Sequence, residues 1–115
     1  MLKKLILSFV FAAAAALQAY AVKVYPNPWI PADMSGTQGS YSENGQIKFD
    51  GVPVSGGTII IYNVSGELVR KLNWNSMTLV RWDGKNERGE YVASGTYIWV
   101  MTAGGRETGK IAVIR

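Results

Sequence analysis

The chain has 115 residues, 48% hydrophobic and 17% charged, with a formal net charge of +4. It contains neither histidine nor cysteine. That excludes the usual general base, thiol nucleophiles, disulfides, a lipid-bearing N-terminal cysteine and most transition-metal sites.

Lys3 and Lys4 open the chain, followed by an apolar run over residues 5–17 that Ser8 interrupts. Gln18 and the triplet Ala19-Tyr20-Ala21 then put small residues where a signal peptidase cuts. Positive flank, short apolar run and A-x-A site in that order predict a secretory signal peptide over residues 1–21, leaving one domain over 22–115. A bilayer span takes about 20 apolar residues, so no membrane span is expected after cleavage. Removing Lys3 and Lys4 leaves ten basic and eight acidic residues, a net charge of +2. These charges lie singly along the chain, whereas a nucleic-acid binder concentrates them in a stripe; nucleic acid is therefore excluded as a partner. Export without cysteine suits a bacterial protein, and a domain this small must then rely on its apolar core.

From residue 22 onward, short runs rich in Val, Ile, Tyr, Trp and Thr alternate with clusters of Gly, Asn, Ser and Asp. Strands are predicted at 22–25, 45–50, 58–63, 67–72, 79–83, 96–103 and 107–115. After the first of these, Pro26, Pro28 and Pro31 cannot donate to a ladder, so residues 26–31 are expected to leave the strand extended and cover an edge of the sandwich. Residues 35–44, rich in Gly and Ser, predict a surface loop. Asn63-Val64-Ser65-Gly66 joins the third and fourth strands, with Gly66 supplying the positive φ of a bulged hairpin. Asn63-Val64-Ser65 is formally a glycosylation sequon, read here as part of that turn. In 79–82, Val80 and Trp82 share one face and Arg81 the other, which points Trp82 inward. Residues 97–101 are apolar on both faces, as in a central strand, and turn back through Gly104-Gly105-Arg106. No segment of helical length past residue 21 carries a 3.6-residue apolar period. The prediction is all-β: an immunoglobulin/fibronectin III-like sandwich of about seven strands.

Asp50, Asp83, Glu87 and Glu90 sit in or beside turns. A glycosidase-type pair needs two carboxylates across a cleft, for which a small domain with its strands committed to a core has little room. No enzyme activity and no cofactor are expected. Asp83, Asn86, Glu87 and Glu90 are oxygen donors of the kind calcium accepts, but their spacing is not that of an EF-hand loop, and Lys85 and Arg88 oppose a cation. The expectation for 83–90 is a structural loop without metal, in which Asp83 bonds nearby backbone N–H groups. Trp82 and Trp99 belong to the core by strand alternation. Trp29 and Trp74 lie in less regular segments, are expected to be partly exposed, and are the candidate binding residues.

Five segments in order carry a family likeness: Val24-Tyr25-Pro26-Asn27-Pro28-Trp29; Ile61-Tyr62-Asn63-Val64-Ser65-Gly66-Glu67-Leu68-Val69; Trp82-Asp83-Gly84-Lys85-Asn86-Glu87-Arg88-Gly89; Ala93-Ser94-Gly95-Thr96-Tyr97-Ile98; and Gly109-Lys110-Ile111-Ala112-Val113-Ile114. Together they resemble the FlgD-type immunoglobulin-like domains and the related type A C-terminal sorting domains of the type IX secretion system. The resemblance implies a compact sandwich in which Pro26, Asn27, Pro28, Trp82, Asp83, Gly84, Gly89, Gly95 and Tyr97 serve the fold and none is catalytic. Such modules sit at the C-terminus of larger extracellular proteins or in the flagellar hook cap. Here the expected signal runs almost directly into the first strand, with no cargo domain ahead.

The function expected is an exported, non-enzymatic structural or interaction module. It would act through protein contacts at or outside the cell envelope, with exposed edge strands as the contact surface. Two alternatives stand beside it: a type IX sorting signal read by the secretion machinery, and a carbohydrate-binding module using Trp29 or Trp74.

Overall fold

In the computed structural model, which describes residues 22–31, 41 and 45–115, seven strands alternate buried and exposed side chains. They are β1 (Lys23–Tyr25), β2 (Ile47–Asp50), β3 (Gly57–Asn63), β4 (Leu68–Trp74), β5 (Leu79–Trp82), β6 (Gly95–Thr102) and β7 (Arg106–Val113). Every predicted strand forms, with small shifts at the ends. The predicted signal at 1–21 lies outside the described residues, as does the predicted loop at 35–44 apart from Tyr41.

β1, β2 and β5 form one antiparallel sheet in the order β1-β2-β5, and the other runs β4-β3-β6-β7. In a constant-type immunoglobulin sandwich the fourth strand joins the first sheet; here β4 pairs with β3, the fibronectin III arrangement. Asn63-Val64-Ser65-Gly66 makes the expected bulged hairpin, with Gly66 at φ 82° and a register shift between Ile61 and Tyr62.

The core follows from period-two alternation. Ile47, Phe49, Val80 and Trp82 face inward from one sheet; Ile59, Ile61, Leu72, Trp74, Tyr97, Trp99, Met101, Ile111 and Val113 face them from the other. Edge-to-face aromatic pairs cross the gap, Phe49 to Trp99 at 5.5 Å and Trp82 to Tyr97 at 5.9 Å between centroids. Each large apolar side chain buried this way contributes about 1.5–3 kcal/mol, which is how a chain without disulfides holds together.

Trp29 and Trp74 are not exposed, contrary to expectation: their relative exposures are 1% and 6%. Trp74 closes β4, donates its indole N–H to the Pro53 carbonyl (2.7 Å) and packs against Gly57. Trp29 donates its indole N–H to the Gly45 carbonyl (2.8 Å) and lays its ring on Gly84. A Cβ at Gly84 would run into that ring, and its φ of +77° is itself unfavourable for other residues. Gly89 has a similar φ, +80°, but open space around it.

The pair separates backbone strain from ring contact. Gly84→Ala is expected to cost about 2–4 kcal/mol in chemical denaturation, strain and overpacking acting together. Gly89→Ala should cost about 1 kcal/mol. Equal losses would mean that the seat beneath Trp29 contributes nothing.

Candidate functional site

The loop after β5 is built to meet β4. The Trp82 indole N–H donates to the Lys85 carbonyl (2.9 Å), and Asp83 Oδ1 accepts from the Lys85 N–H (3.0 Å), the local bond expected of it. The same oxygen pairs with Arg70 of β4 at 3.2 Å, so one ion pair ties the two sheets together. Glu87 then takes two of the outward backbone groups of β4. Its N–H donates to the Val69 carbonyl (3.0 Å), and its carboxylate accepts from the Lys71 N–H (2.8 Å). An edge strand that would otherwise template pairing is thereby covered at Val69 and Lys71.

The opposite edge is closed from the N-terminal side. Asn27 donates its side-chain N–H to the Lys110 carbonyl (2.9 Å) and accepts from the Ala112 N–H (3.0 Å). The Trp29 N–H donates to the Ala112 carbonyl (2.8 Å) and the Trp29 carbonyl accepts from Ile114 (2.9 Å), a parallel bridge onto β7. Pro26 and Pro28 flank Asn27 and add no outward N–H. This covers the edge as expected. It also narrows the expectation of exposed edge strands as the contact surface, because the chain itself takes up part of each edge of the larger sheet, at Val69 and Lys71 on one side and at Lys110, Ala112 and Ile114 on the other. The outer strands of the smaller sheet, β1 and β5, have three and four residues.

At one end of the sandwich two turns repeat each other, Asn63-Val64-Ser65-Gly66-Glu67 and Asn86-Glu87-Arg88-Gly89-Glu90. In each, the Asn side-chain oxygen accepts from the N–H groups two and four residues on, at 3.0 and 2.9 Å in the first and 2.9 and 3.0 Å in the second. The Gly N–H donates to the Asn carbonyl at 3.0 Å in both. The Asn amide donates to the Glu carboxylate at 3.1 and 3.3 Å. Residue-by-residue reading missed this N-x-x-G-E repeat, although it is plain when the two segments are aligned. Both turns line an open cleft of about 350 Å³ that also includes Tyr91, Val92 and Tyr97.

Side chains around that cleft are committed to holding it. The Tyr97 hydroxyl donates to the Ala93 carbonyl (2.7 Å), the corner that fixes the start of β6 next to Gly95; burial pushes that hydroxyl's pKa up. Arg88 pairs with Glu90 at 2.9 Å. The Asn86 amide, and then the Arg88 charge, hold the Glu90 carboxyl below the usual range. Tyr91 stacks obliquely on Tyr41 at 4.3 Å with the Lys85 ammonium 5.0 Å from its centroid. Asp83, Glu87 and Glu90 each accept from a donor of this chain, and among the described residues no three acidic side chains gather as a metal set.

Among the described residues, none covers the outer face of the larger sheet. Its register places Lys71, Ile60, Val100 and Thr108 in one row across the four strands, and Leu68, Tyr62, Ile98 and Lys110 in the next. Ile60, Tyr62, Ile98 and Val100 are half-buried there, and Leu68 is 55% exposed.

The profile of the FlgD Ig-like domain family matches residues 33–107. Among solved structures, the chain is similar to PorZ, an essential bacterial surface component of the type IX secretion system of Porphyromonas gingivalis, with 24% identity and a TM-score of 0.61 over 85% of this chain and 13% of PorZ. It is also similar to dimeric latent PorU from the same organism, with 21% identity and a TM-score of 0.51 over 81% of this chain and 9% of PorU. It thus spans a small part of either protein, and the likeness is one of fold. No curated protein matches the sequence.

Two outcomes check this geometry. Asn27→Ala and Glu87→Ala should each speed amide exchange at the edge they cover, at Ala112 and at Lys71 respectively, and each should cost about 1–3 kcal/mol. In a carboxyl NMR titration Glu90 should have its midpoint below that of an ordinary glutamate and move back toward it in Asn86→Ala. Because the folded-state value is depressed, the linked stability is present above the unfolded value and lost as pH falls through the folded one.

Proposed function

The chain belongs to the FlgD Ig-like domain family, and on that premise we propose an exported, non-enzymatic interaction module that acts through protein contacts at or outside the cell envelope. Immunoglobulin-like domains are generally non-catalytic, and their sites are grafted on the fold rather than implied by it. One observation carries the reading. Each edge of the larger sheet is partly covered by segments of its own chain, whereas no described residue covers its outer face. Strand addition at those edges is thereby hindered, and the face is left for docking.

Export rests on the order of charge, apolar run and small residues in 1–21, with cleavage proposed after Ala21 and residues 22–115 as the mature domain. The carbohydrate-binding reading loses its platform, since Trp29 and Trp74 are buried.

A second reading, a type IX sorting or anchoring domain, is favoured by the likeness in fold to parts of PorZ and PorU. Its partner would be the secretion machinery.

Intact-mass analysis of the exported protein should begin it at Val22. Cross-linking in envelope fractions should recover the same partner in repeated experiments; recovery of none would argue against the contact role. Residues 22–115 fused to an exported reporter distinguish the second reading. In a type IX-competent host the reporter should reach the surface, and its retention in the periplasm would remove that reading.

A further inference from the structure

Lys71 flanks the apolar rows of the open sheet face on the β4 side, and Arg106 and Lys110 flank them on the β7 side. None of these three side chains has an ion-pair, hydrogen-bond or ring partner among the described residues. The outward positions of the four strands carry Thr58, Thr96, Thr102, Thr108 and Asn73 besides the apolar and basic residues, and no carboxylate. Between the two basic sides lies a shallow hollow of about 360 Å³, lined by Tyr62, Val64, Ile98, Val100 and Arg106.

We propose that this face docks an acidic polypeptide segment, its aliphatic or aromatic side chains lying on Ile60, Tyr62, Ile98 and Val100 and its carboxylates reaching Lys71, Arg106 and Lys110. The proposal rests on the protein-contact reading above and names the surface and the partner's chemistry. An apolar centre with a charged rim is the anatomy of a specific protein interface, with arginine and tyrosine among its favoured residues.

Charge complementarity selects the occupant. A second copy of the chain is a poor source of acid, because every described Asp and Glu side chain already accepts a hydrogen bond from its own chain. Asp50 accepts from the Tyr25 hydroxyl, Glu67 from Asn63, Asp83 from Arg70, Glu87 from the Lys71 N–H, Glu90 from Asn86 and Arg88, and Glu107 from the Val22 N–H. An anionic membrane is typically recognised by clusters of about 4–8 cations. Three cations split between two sides of a flat sheet do not form one.

The test selects peptides from a random phage-displayed library on the purified chain and synthesises the best binder. The expected peptides carry Asp or Glu beside aliphatic or aromatic residues and shift the amide resonances of Ile60, Tyr62, Ile98 and Val100. Their affinity should weaken with salt, and by about tenfold or more in Lys71→Glu/Arg106→Glu/Lys110→Glu. The triple Gln variant at the same positions gives a smaller loss in the same direction and serves if the Glu variant does not fold. Selected peptides without acids, or shifts centred on the cleft of the two turns, would overturn this surface while leaving a protein-contact role intact. Binding to phosphatidylglycerol vesicles with no peptide selected would overturn both. Self-association abolished by Ile98→Glu would reassign the face to a second copy.

Discussion

Trp29 is the point at which separate parts of the chain are fastened. Its backbone extends β7 by a parallel bridge, its indole N–H bonds the Gly45 carbonyl ahead of β2, and its ring rests on Gly84 in the loop that follows β5. Tyr41 meets the ring edge-on at 5.8 Å. One buried side chain thus links the N-terminal strap, both sheets and the long loop. A domain with no disulfide needs such nonlocal fastening, because loop closure entropy opposes each of these contacts separately.

The long loop does for β4 what the strap does for β7. Arg70 and Asp83 clip one sheet to the other at the base of the loop, and Glu87 uses backbone and carboxylate together on two outward groups of the strand, at Val69 and Lys71. The repeated N-x-x-G-E turns explain how short loops can hold this shape. In each, one asparagine satisfies two backbone donors, and the glutamate that ends the motif holds the asparagine amide. Asp83, Glu87 and the Asn and Glu of both turns are thus held in place, each bonded within a few residues of its own position or by the neighbouring strand.

Legibility in the sequence followed the range of the interactions. Strand positions, the bulged hairpin and the inward direction of Trp82 depend on alternation and turn chemistry and were readable directly. The edge-covering role of 26–31 was readable too, because prolines restrict where such a segment can pair. Burial of Trp29 was not, since it depends on Gly84 and β7, both distant in sequence. Nor was burial of Trp74, because β4 runs past the last residue of obvious strand character, held by the Pro53 carbonyl and the space above Gly57. The apolar run 97–101 was readable as a central strand, and β6 is central within its sheet. Nothing among the described residues covers its outer row, so Ile98 and Val100 form part of an open face.

Isoleucine, valine and tyrosine on an open sheet face can be there for strand propensity alone, since β-branched and aromatic residues are the best strand formers. That explanation covers Ile60, Tyr62, Ile98 and Val100. It extends less well to Leu68, neither β-branched nor aromatic and 55% exposed at the start of β4, and not to Val64, 70% exposed in a turn where polar residues are the norm. Both lie at the hairpin end of the same apolar rows, and Val64 lines the hollow with Tyr62 and Ile98. The apolar surface therefore continues past the strands that would need it for folding, and it ends on cations that no described residue pairs. Folding requirements account for the first half of that pattern, and contact with an acidic partner accounts for the whole.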